Sequence, residues 1–127
     1  MIVGLLVGSA INFAVITLNT MIFPLPEGVT MADRDAFKAA VQDMPALAWL
    51  GVIVAHLGQA FVGGWVAARL GASRPVLLAM IVGVLSLAVG VANAIMLETP
   101  AWTWIEMPGY LLVAWFAGRL EAKRRAA

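Results

Sequence analysis

Two ionisable residues stand where few are expected. His56, the only histidine, lies near the centre of the uncharged run Met44–Ala68, and Glu106 interrupts the apolar stretch Thr99–Gly118. Ionisable groups inside apolar segments of this length mark proton or ion pathways. An imidazole and a carboxylate at depth could therefore bind a proton or a cation. Each also has a plainer reading. A neutral imidazole packs with one hydrogen bond, and Glu106 caps a helix through Thr103 in a capping box.

Other polar residues gather at similar depth. Gln59 lies one turn inward of His56. Asn12, His56, Ser86 and Tyr110 each fall roughly 10 to 12 residues into their own run, or about 15–18 Å at 1.5 Å per residue. Glu106 lies one turn outward of Tyr110, and Asn19, Asn93 and Glu98 share that outer half. The candidate polar site is therefore Asn12, His56, Gln59, Ser86, Asn93, Glu106 and Tyr110. These residues either satisfy one another as a packing network or line a site, and spacing does not choose between the two.

The elements that must position them are membrane helices. Met1–Pro26, Met44–Ala68 and Pro75–Leu97 are uncharged, and each can cross a bilayer core, which takes about 20 apolar residues. With 63% hydrophobic side chains and a mean hydropathy of +0.96, the chain has too little polar surface for a soluble domain. The expected fold is an all-α membrane protein. It is a single four-transmembrane-helix bundle with spans near 2–23, 45–69, 75–97 and 100–119, and a short amphipathic helix in the first outer loop. The fourth span is the shortest in its uncharged part, Met107–Gly118. The first run lacks a basic leader and a cleavage site before Pro24, so it is expected to stay in place as a span rather than act as a signal peptide.

Charge placement orients the four spans. The second loop (Arg69, Arg74) and the tail (Arg119, Lys123, Arg124, Arg125) hold six basic residues, against Arg34 and Lys38 in the first loop. The positive-inside bias then puts both termini in the cytoplasm, with most acidic residues outside. Trp49, Trp102 and Trp104 fall near outer ends, and Trp65 and Trp115 near inner ends, as interfacial anchors do. The basic tail reads as a topological anchor beside anionic lipid.

Local signals punctuate the runs. Thr30 with Asp33 reads as a helix start, and Phe37, Val41 and Met44 recur at helical spacing beyond it. That helix is expected to lie on the outer membrane face. Asp43 precedes Pro45 as the next start. Gly71 suits the end of the second span, and Ser73 the N-cap of the third. Small residues form stripes: Gly4, Gly8 and Asn12; Gly63 with Ala67 and Gly64 with Ala68; Gly83, Ser86 and Gly90. Such faces bring helices close within one chain, or between copies through Gly4 and Gly8. The stripe in the third span is expected to meet the second span in a close hairpin.

Few chemistries fit. The chain has no cysteine, no Ser-His-Asp set, no HExxH and no phosphate loop, which argues against an enzyme and calls for no cofactor. The segments Ile22-Phe23-Pro24-Leu25-Pro26, Ala32-Asp33-Arg34-Asp35-Ala36-Phe37, His56…Gly63-Gly64-Trp65-Val66-Ala67-Ala68-Arg69 and Val91-Ala92-Asn93-Ala94-Ile95-Met96-Leu97 with Pro100-x-Trp102 resemble small bacterial four-helix integral membrane proteins of unassigned function. That resemblance implies a bacterial inner membrane and supplies no activity. Two functions remain. The favoured one is an accessory or structural subunit that packs with itself or a larger membrane complex, with lipid and no nucleic acid as partners. The alternative is a small-solute, cation or proton-linked transporter or channel built on His56 and Glu106.

Overall fold

A computed structural model describes the whole chain, Met1–Ala127, and it is all-helical. Five α-helices follow in order: α1 (Ile2–Ile22), α2 (Arg34–Gln42), α3 (Ala46–Leu70), α4 (Pro75–Leu97) and α5 (Glu106–Ala126). A short 3₁₀ turn, Ala101–Ile105, leads into α5. Helices α1, α3 and α4 are long and apolar enough to cross a membrane, which marks this as a membrane protein. Helix α5 combines an apolar first half with a basic end.

Helix α3 is the hub. It packs against α1 on one side and against α4 and α5 on the other, and α4 also packs against α5. Glycine makes the α1–α3 seam possible. A Cβ built on Gly4 would fall 2.5 Å from the Gly63 carbonyl oxygen, and one on Gly8 would fall 2.7 Å from that of Gln59. The Gly4/Gly8 stripe is therefore occupied inside the chain and is not a free face for a second copy. At the other end of the seam, Asn19 Nδ2 donates to the Ala48 carbonyl at 3.0 Å.

Several expected details are corrected. The stripe of α4 meets α5, not α3, because Cβ atoms at Gly83 and Gly90 would collide with Ala114 and Tyr110. The α3–α4 hairpin packs instead where Gly64 meets Ala79. Helix α2 starts later than Thr30: Asp33 is its cap, accepting from the Ala36 amide at 3.2 Å. Asp43 closes α2 and does not open α3, whose N-cap is Pro45. At the second loop, Arg74 and not Ser73 precedes α4, in the left-handed conformation with φ 52°. Gly71 ends α3 with φ −73°. It is small there because Leu78 packs where its Cβ would be.

The basic tail is more than an anchor. Arg125 donates from one guanidinium nitrogen to the Ala68, Arg69 and Gly71 carbonyls and from another to that of Ala72. Those acceptors include the unpaired last carbonyls of α3. Glu121, wholly buried, accepts from Arg124 at 2.6 Å and Arg125 at 3.1 Å, with Arg69 at 3.7 Å. The Arg124 hydrogen bond, with Arg125 beside it, outweighs desolvation and holds the Glu121 carboxyl down at about 2. On Arg124 the same bond pushes the guanidinium above its ordinary value.

Candidate functional site

The seven polar residues singled out by depth all line one cavity of about 870 Å³. It lies over α3, between α1 and α4, with the start of α5 at its floor. Helix α3 presents one face to it at helical spacing: Trp49, Val52, Ile53, His56 and Gln59. Helix α1 contributes Asn12 and Asn19, and α4 contributes Ser86 and Asn93. Phe37 and Val41 of α2, with Met44 just beyond it, cover the end nearest Trp49, so the apolar face of α2 turns toward the cavity.

The centre of the site is an ion-pair geometry. His56 Nδ1 stands 3.2 and 3.3 Å from the two Glu106 carboxylate oxygens. The side chains are 18% and 7% exposed, so little solvent competes for the contact. With Nδ1 protonated, the imidazole donates to the carboxylate. Tyr110, one turn along α5, stacks on the His56 ring at 6.2 Å between centroids. Asn12, Ser86 and Tyr110 are the candidate partners for His56 at matching depth. The hydrogen-bond partner is instead Glu106, and Tyr110 supplies only the stacking.

Glu106 reaches His56 because it does not cap its own helix. Ile105 holds the N-cap of α5 without a side-chain bond. The Thr103 hydroxyl turns away to the Pro100 carbonyl at 2.7 Å and the Thr99 hydroxyl at 3.1 Å. The local capping reading is thus overturned, and the carboxylate is free to point inward.

Two cavity-lining residues hold a buried polar atom with no hydrogen-bond partner in the protein: Ser86 Oγ and Trp49 Nε1. Both side chains are buried. Trp49 is therefore no interfacial anchor, and its spacing of seven residues from His56 was the available sign. Buried polar groups in a roomy cavity are normally satisfied by water or a ligand. No third His, Asp or Glu joins the pair into a metal-binding group.

Lys38 of α2 pairs with Glu98 at the end of α4, 2.7 Å apart. The Lys38 ammonium holds the Glu98 carboxyl below the usual range, through its hydrogen bond first and its charge second. This pair ties the roof of the cavity to α4. No protein family, curated protein or solved structure matches the chain.

Proposed function

We propose that the chain is a small proton-linked transporter of the bacterial inner membrane, binding a small solute in the cavity and exchanging a proton at His56–Glu106. One observation carries the reading: a nearly dry imidazole–carboxylate contact forms the floor of a large, partly polar cavity. An ion pair kept only for packing needs no such volume beside it, since protein interiors are close-packed. Concave sites with a few convergent polar groups are where ligands bind.

The reading includes four spans, with both termini in the cytoplasm. Helix α5 has 21 residues, about 32 Å at 1.5 Å per residue. It runs beside α4, and Arg125 brings its end to the C-terminal end of α3. The basic second loop and basic tail then share one side, as the positive-inside bias favours. An accessory role would work through small-residue faces, and those expected to serve it are occupied within the chain. Nor does the proposal call for any bond-making chemistry.

The single histidine provides the test. The imidazole nitrogens of the ¹⁵N-labelled chain in nanodiscs give signals from His56 alone. These signals are expected to report reversible proton exchange at the imidazole, altered in Glu106→Gln. An imidazole that keeps a single protonation state overturns proton exchange.

A further inference from the structure

One carboxyl group lines the cavity, and no lysine or arginine does. Its ionisable lining is His56 from α3, with Glu106 and Tyr110 from α5; α1, α2 and α4 contribute none. With the imidazole neutral and that carboxyl ionised, the space is anionic by one unit. A carboxylate this far from water gains most from a cation it need not share with solvent. The aromatic lining suits one too, because a cation over a ring face is attracted by its quadrupole. Phe13 and Phe37 on the walls offer such faces, whereas Trp49 and Tyr110, the latter stacked on His56, are buried against the protein.

The mouth selects further. Helices α1 and α4 form no packing seam with each other, although both border the cavity. Phe13 from α1 and Val89 from α4 line it and are 75% and 58% exposed. The exposed lining there is Ser9, Phe13 and Thr17 of α1 and Val89 of α4, so the gap opens sideways past an aromatic ring, an aliphatic side chain and two hydroxyls. The end nearest Trp49 is roofed by α2. Two hydroxyls, that of Thr17 already bonded to the Phe13 carbonyl, do not replace the shell of a hydrated inorganic ion, whereas an ion wrapped in hydrocarbon has little shell to lose.

We propose that the ligand is a lipophilic organic monocation, which enters from the bilayer between α1 and α4 and sets its charge against Glu106. The proposal rests on the cavity being the binding site argued above. It also makes the proton on His56 a competitor, since imidazolium and ligand neutralise the same carboxylate. No other ionisable side chain from the five helices faces the pair except Tyr110.

The test uses the full chain in nanodiscs of zwitterionic phospholipid, with three probes of similar shape: tetraphenylphosphonium, tetraphenylborate and triphenylphosphine oxide. The phosphonium is expected to bind saturably and to weaken as pH falls. In Glu106→Gln its binding should weaken at least about tenfold, with helix content and melting unchanged. Should that variant not fold, Phe13→Trp and Val89→Trp serve instead, each narrowing the mouth and slowing phosphonium association. Equal binding of the borate or the neutral oxide overturns the charge selection. Unslowed entry in both tryptophan variants overturns the side mouth. Absence of saturable phosphonium binding overturns the whole proposal, while proton exchange stands or falls separately on the imidazole titration.

Discussion

The Tyr110 phenol rests on Gly90: a Cβ built there would lie 2.4 Å from the hydroxyl and 2.7 Å from the carbon that bears it. The ring that stacks on His56 is thus held from behind by a backbone with no side chain. Gly90→Leu is expected to destabilise the fold by about 1–3 kcal/mol through overpacking, and Gly83→Leu likewise against Ala114. Unfolding in mixed micelles measures both. Wild-type stability in either variant would show that the α4–α5 contact is looser than described.

The Glu121 cluster gives stability a definite pH dependence. Its folded value, about 2, lies below the ordinary 4.5, so the contribution is complete above about 4.5 and is lost as pH falls toward 2. Wild-type unfolding midpoints should drop across that acid window. Glu121→Gln should be less stable at neutral pH and show a shallower acid loss. Parallel curves for the two proteins would exclude Glu121 as the source.

Arg125 ends the carbonyl ladder of α3 from another helix. Arg125→Ala should cost about 1 kcal/mol, the scale of a hydrogen bond from a charged group that is partly exposed. Faster amide exchange is expected at the C-terminal end of α3, and unchanged exchange there would refute the contact.

Arg74 occupies the left-handed region, where a side chain costs roughly 1–2 kcal/mol. Arg74→Gly is expected to raise the unfolding midpoint, with a gain of about 0.5–1 kcal/mol once the extra freedom of the unfolded chain is included. A lower midpoint would mean that the arginine side chain contributes more than its backbone strain costs.

The cysteine-free sequence makes topology directly measurable. Single cysteines at Ala32 and Ala126 should react with an impermeant reagent from opposite sides of a sealed vesicle. Reaction of both from one side would reject the four-span arrangement.

Much of this was readable before any coordinates. Hydropathy placed α1, α3 and α4 to within a few residues, because a bilayer-length apolar run has few other fates. Depth counting assembled the polar residues of one cavity, since helices crossing the same slab share a length scale. It failed on partners. Which faces meet depends on helix rotation, so the Gly83 stripe does not name its neighbour, and the sequence leaves Glu106 between a cap and an inward-facing carboxylate. The tail failed for another reason. Four clustered cations fit a lipid-facing anchor equally well, and nothing local marks Arg125 as the one that reaches the carbonyls of α3.

One consequence follows from how α1 is fastened. It packs principally on α3, through backbone contact at Gly4 and Gly8 near one end and the Asn19–Ala48 bond near the other. The first attachment is backbone against backbone, while at the second the Asn19 amide both packs on Gly51 and donates to Ala48. Such a beam pivots at its glycine end and swings at its asparagine end. Widening the α1–α4 gap would therefore take the Asn19 bond, about 1 kcal/mol, together with its packing on Gly51, and would leave α3, α4 and α5 in mutual contact, so that α1 is the jaw of a three-helix vice.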